Sequence, residues 1–153
     1  MRITGTLFFI FLLCQKIHAQ PHAIVDNIDH FCSEMESHST CQNEMTIDSS
    51  RSGTEAFVLK FYKSNINGKL TFIQFQLLKP SVLINYYYKD DTLVKVSGID
   101  KSTELTLMPL IYFDGGKMIY TSQKSIDGDN SGKYFLKKSK VYLAYYQERN
   151  KSH

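Results

Sequence analysis

Tyr87-Tyr88-Lys89-Asp90-Asp91-Thr92-Leu93-Val94 and Tyr112-Phe113-Asp114-Gly115-Gly116-Lys117-Met118-Ile119 match position for position in character. In each, two aromatic residues end an extended run, polar residues turn the chain, and an apolar pair starts the return. That is the pattern of a β-hairpin. Tyr134-Phe135-Leu136-Lys137-Lys138-Ser139-Lys140-Val141 reads as a third, looser copy with its apolar residue one place late.

The same punctuation extends in both directions. Asn65-Ile66-Asn67-Gly68 separates Ala56–Tyr62 from Lys69–Leu78, and Lys79-Pro80-Ser81 ends that second run because proline cannot donate to a ladder. Val82–Tyr88, Thr92–Val96, Leu105–Phe113 and Lys117–Thr121 follow, and Tyr134-Phe135 and Val141–Tyr146 are taken as the last pair. All ten tyrosines and six of the ten phenylalanines lie beyond residue 50, among many valines, isoleucines and threonines. Such residues suit a pleated, half-buried surface. The region 55–147 is therefore expected to be an antiparallel meander of about eight strands. Leu77-Leu78 and Val82-Leu83-Ile84 are continuous rather than alternating, so some central strands should be covered on both faces.

Upstream the period changes. Pro21 suits a first helical turn, and Ile24, Val25, Ile28, Phe31, Cys32 and Met35 recur at three- and four-residue steps. A helix over about 22–36 follows, with His22, Asp26, Asp29, His30 and Glu34 on its other face. Residues 37–54 are poor in apolar side chains and read as a polar linker. The fold class is thus α+β and mainly β, with the N-terminal helix packed on the meander.

Residues 1–19 read as a signal peptide: Arg2 precedes the short run Leu7–Leu13, and Ala19 offers a small residue for cleavage before Gln20. The run is too short to span a bilayer, which takes ~20 apolar residues. Cys14 would be the acylated residue of a lipoprotein, but Leu13 stands where that signal wants a small side chain. The expected mature chain, 20–153, is a single domain, periplasmic or secreted, with no transmembrane segment. Removing Arg2 and Lys16 lowers the net charge of +3 by two, to +1. So balanced a charge gives no case for nucleic acid as a partner.

The repeated hairpins resemble those of a broad group of short secreted proteins of Gram-negative bacteria, which carry aromatic-aromatic-x-Asp/Asn-Gly-Lys-Leu hairpins along a sheet behind an N-terminal helix. The resemblance covers roughly residues 84 to 146 and extends to Phe61-Tyr62 and Gly68-Lys69-Leu70. It implies a fold and an envelope location, and no activity. The first copy departs from the motif in lacking glycine.

Cys32 and Cys41 are the even pair left after cleavage, and in an oxidising compartment a disulfide between them is expected. Asp127-x-Asp129-x-Ser131-Gly132 has the opening of a calcium loop, but Lys138 occupies the place of its closing glutamate. Ordinary turns use the same residues, so Asp127, Asp129 and Ser131 are metal candidates only on paper. His22, Asp26 and His30 stand four apart on the helix, yet a solvated face looks the same. Tyr86, Tyr88 and Tyr145 are the binding candidates among the tyrosine runs, for adjacent strand residues face opposite ways. Covering a core without tryptophan is the competing use of those rings. Signatures of hydrolases, zinc proteases and phosphate loops are missing, and no cofactor is implied. The expected role is a non-catalytic exported protein that contacts another protein through its sheet face or helix. The alternative is a small-ligand or glycan binder using the aromatic sheet face.

Overall fold

The computed structural model describes residues 20–48, 55–77, 82–100, 110–122 and 128–151. The expected signal peptide and Asp127 lie outside these. Helix α1 (Gln20–Ser37) leads into β1 (Ser39–Ile47), β2 (Phe57–Ser64), β3 (Leu70–Leu77), β4 (Val82–Lys89), β5 (Thr92–Asp100), β6 (Ile111–Asp114) and β7 (Lys117–Thr121), and helix α2 (Gly128–Lys151) follows. Spatial order equals chain order and each neighbouring pair is antiparallel, giving an open seven-stranded meander. The mainly β, antiparallel reading of the sequence is the observed fold.

The first two octets are hairpins β4–β5 and β6–β7, and their turns share a geometry. Asp90 and Asp91 take φ of 49° and 59°, Gly115 and Gly116 take 53° and 78°. Two successive left-handed residues match the twist of a two-residue hairpin loop. Aspartate tolerates that region better than most side chains, which is how the first copy manages without glycine. Lys69 Nζ sits 2.9 Å from the Asp90 carboxylate beside this turn.

The third copy is not a hairpin. The expected strands Tyr134-Phe135 and Val141–Tyr146 both lie within helix α2. Phe135, Ser139 and Tyr142 are buried at three- and four-residue steps, while Lys133, Lys137 and Lys140 point to solvent. Asp129 and Ser131 stand in the same helix, whose regular backbone cannot bend round an ion as a calcium loop does. Gly132 has another purpose there: a Cβ on it would lie 3.0 Å from Met118 Sδ and 3.2 Å from Met118 Cβ, so glycine lets α2 approach β7 closely.

The expected linker 37–54 is corrected too, since it contains β1. Its sequence is mostly polar because it is an edge strand, and only Ile47 is buried. Pairing with β2, from Ser39 opposite Ser64 to Ile47 opposite Phe57, makes it part of the sheet.

A helix covers each face. Against α2 pack Phe57, Leu59, Phe61, Ile73, Ile84, Tyr86, Tyr88, Val96 and Ile111, the main core. Tyr88 adds a polar tie, its hydroxyl donating to the Ser139 carbonyl at 3.1 Å. On the other face Cys32 of α1, with the half-buried Ile28 and Phe31, packs against Phe72, Tyr87, Tyr62 and Val94. Covering on both sides explains why Tyr86, Tyr87 and Tyr88, although they alternate in direction, are all buried. Among the described residues no helix is long and apolar enough to cross a membrane.

Because Phe135 is buried in the α2 interface while its neighbour Tyr134 is exposed, Phe135→Ala should cost ~3–5 kcal/mol and Tyr134→Ala ~0.5 kcal/mol or less. Urea unfolding midpoints measure both. Similar losses at the two positions would mean that α2 sits differently on the sheet.

Candidate functional site

Strand register places one row of side chains on the α1 face: Cys41, Tyr62, Phe72, Tyr87, Lys95, Tyr112 and Tyr120, one from each strand. From Tyr62 onward they touch side by side. Tyr62 stacks on Phe72 at 4.0 Å between centroids, and Phe72 meets Tyr87 at 5.5 Å. Lys95 Nζ lies 5.5 Å from the Tyr87 ring and 5.6 Å from the Tyr112 ring. Tyr112 meets Tyr120 at 5.8 Å, edge on. An aromatic ladder thus crosses the sheet with a single ammonium set into it.

Helix α1 supplies the counter-charge. Asp29 accepts from Lys95 Nζ at 2.7 Å, and from the Tyr112 hydroxyl at 2.8 Å. Lys95 is only 15% exposed against 44% for Asp29, so the pair is partly withdrawn from water. Two turns further on, Glu36 accepts a hydrogen bond from the Tyr87 hydroxyl. The sequence reading set Asp29 on the outward face with His22, Asp26, His30 and Glu34. The structure turns it inward and leaves the other four exposed, with His30 Nδ1 3.6 Å from Glu34. His22, Asp26 and His30 are therefore a solvated face, and no group of three ligating side chains fit for a metal occurs among the described residues.

The expected disulfide is absent: Cys32 and Cys41 are both free thiols. Cys32 is 2% exposed, wedged against Phe72 and Tyr87. Cys41 lies on the edge strand opposite Tyr62, so the stacked Tyr62 and Phe72 rings stand between the two sulfurs. Burial pushes the Cys32 thiol up to about 12, which leaves it without thiolate at neutral pH.

Beside the ladder runs a second row on the same face, and it is polar: Glu44, Lys60, Gln74, Asn85 and Ser97. Lys60 Nζ is 3.4 Å from Glu44, Gln74 Nε2 donates to Asn85 Oδ1 at 3.1 Å, and Asn85 Nδ2 donates to the Tyr87 hydroxyl at 3.1 Å. From Ser97 to Lys60 the row is half-buried, and it ends at the exposed Glu44 on β1, whose outer side meets no strand among the described residues. β7, the other edge, is shorter, carries Lys117, and is flanked by both helices. Of the expected binding tyrosines, Tyr86 and Tyr88 are buried beneath α2, and Tyr145 is half-buried against the same core. None of the three offers an open ring face on the sheet. The polar row and the open β1 escaped the sequence reading because neither has a composition that marks it. No known protein family, curated protein or solved structure matches this chain.

Burial pushes the hydroxyls of Tyr86, Tyr87, Tyr88, Tyr112 and Tyr142 above the ordinary value of 10.0, and the Glu36 and Asp29 carboxylates push Tyr87 and Tyr112 further. The unfolded chain loses these protons first, so stability is complete below about pH 10 and falls as pH rises above it. In an alkaline titration, the tyrosinate absorbance of these residues should appear together with loss of circular dichroism. Ionisation of all ten tyrosines near pH 10 with the dichroism intact would contradict their burial.

Proposed function

We propose that this chain is an exported, non-catalytic protein that binds another protein by strand addition to β1, with the partner resting on the adjoining polar row. Export is argued from Arg2, the run Leu7–Leu13 and Ala19. The likeness of the β4–β5 and β6–β7 hairpins to those of short secreted proteins of Gram-negative bacteria points the same way. The observation that carries the binding reading is the nine-residue edge strand β1. Natural sheets blunt such edges with shortness, lysine, proline or a bulge. β1 is long and has neither lysine nor proline, keeping only one irregularity, between Cys41 and Asn43. An extended partner segment would satisfy its outward backbone groups, the usual source of affinity in strand addition.

The polar row supplies specificity. Glu44, Lys60 and Gln74 offer a carboxylate, an ammonium and an amide next to the edge; Glu44 is exposed, and the half-buried Lys60 and Gln74 need only modest movement to meet a partner. Ligand binding through the tyrosine run of β4 loses support, because α1 and α2 cover Tyr86, Tyr87 and Tyr88.

The test is affinity capture from the native host with the mature chain and with a Cys41→Lys/Thr46→Lys variant. Both positions are exposed on β1, so the variant should keep its unfolding midpoint. A partner held by the unsubstituted chain and lost by the variant is the expected result. Equal capture by both would move the contact off the edge, and capture by neither would count against a protein partner altogether.

A further inference from the structure

The face of the sheet opposite α1 holds a cleft of about 250 Å³ where the start of β2, the end of β3 and the first turns of α2 meet. Three rings form its floor. Phe57 lies 5.0 Å from Phe75, and Phe75 stacks on Tyr142 at 5.9 Å with an interplanar angle of 18°. Phe57 and Tyr142 are buried, whereas Phe75 is half-open to the cleft. Tyr134 rises at the side, 55% exposed, with the Lys138 ammonium 5.7 Å from its ring centre. Glu55 completes the rim. Neither Glu55 nor Lys138 has an ion-pair partner among the described residues.

We propose that this cleft is a carbohydrate site, in which one neutral hexopyranose ring of a glycan lies between Tyr134 and Phe75 with its hydroxyls directed to Glu55 and Lys138. The combination of surfaces selects this class. A pyranose has a carbon–hydrogen face that packs on an aromatic ring and an equator of hydroxyls that can both donate and accept. The carboxylate accepts, the ammonium donates, and the phenol does either. A wholly apolar ligand would strip water from both rim charges and replace it with nothing. Size points the same way, since clefts that enclose drug-sized ligands run to ~300–1,000 Å³. At about 250 Å³ this one takes a single ring and leaves neighbouring sugars in solvent. Tyr134 touches the fold edge-on at Phe135, with ring centroids 5.3 Å apart, and is otherwise largely exposed beside the half-open Phe75. The inference is independent of strand addition at β1, which concerns the other face and the edge.

Titration of ¹⁵N-labelled mature protein with maltohexaose, cellohexaose and chitohexaose tests it. At least one hexasaccharide should shift the amide signals of Glu55, Phe57, Phe75 and the first turns of α2 in a saturable way. Tyr134→Ala should weaken that binding about tenfold or more, the equivalent of one stacked ring, without moving the unfolding midpoint. Tyr120→Ala, an exposed tyrosine elsewhere, should leave it unchanged. The proposal is overturned if none of the three sugars shifts these signals, or if Tyr134→Ala and Lys138→Ala bind as the unsubstituted chain does. It is equally overturned if sodium decanoate saturates the cleft while the sugars do not, which would mark an apolar ligand.

Discussion

Lys95 is the constraint around which the α1 side of the molecule is organised. Its ammonium sits in a row that from Tyr62 onward is otherwise composed of rings, beneath a helix, and only 15% exposed. A charge so placed must be paired, because an uncompensated ammonium out of water costs several kcal/mol. Asp29 provides the pair at 2.7 Å, and Tyr112 occupies the same carboxylate. With that contact made, the rotation of α1 about its axis is fixed. His22, Asp26, His30 and Glu34 must then face solvent, and Cys32 must face Phe72 and Tyr87. The absent disulfide follows from the same geometry: a helix turned to satisfy Lys95 cannot also present Cys32 to the edge strand.

The two faces of the sheet are held by different physics. The α2 face is a continuous apolar core, closed by Phe135 and Tyr142 and brought close at Gly132. Dispersion and burial do the holding there, with little directional demand. The α1 face relies on an ion pair, hydroxyl-to-carboxylate bonds and stacked rings, which fix direction at smaller net gain. Only on that side does polar sheet remain half-open beside the helix, running out to the exposed edge at β1. A protein partner and a sugar would accordingly meet different parts of the molecule, the first on the polar side and edge, the second at the aromatic end of the core side.

Much of this architecture was legible in the sequence, and the failures have physical causes. The octets at Tyr87 and Tyr112 specified two hairpins because turn chemistry is local. The octet at Tyr134 looked alike but forms a helix, whose buried stripe runs from Gly132, ahead of the octet, through Phe135 and Ser139 to Tyr142, and two small residues hide it among the aromatics. Its Lys137 and Lys140 line the solvent side of α2. β1 was invisible because an edge strand facing water needs no apolar signature, and only pairing with β2 defines it. Asp29 was assigned outward because its partner is 66 residues away, and no local pattern reports a contact of that range. The tyrosine runs identified the sheet correctly while suggesting exposed rings. With a helix on both faces, Tyr86 and Tyr88 became core instead. The aromatic cleft was equally unreadable, for it joins Phe57 and Phe75 to residues of a helix that the sequence presented as strand.

The Asp29–Lys95 contact can be isolated by a double-mutant cycle. Urea unfolding of the unsubstituted chain, Asp29→Ala, Lys95→Met and the double variant gives the coupling free energy directly. Each single variant should be clearly destabilised, and the double variant should recover part of the loss, because removing both charges leaves neither one stranded. A coupling of ~1.5–3 kcal/mol is the expected result. Additivity within ~0.5 kcal/mol would show that α1 is not oriented by this pair.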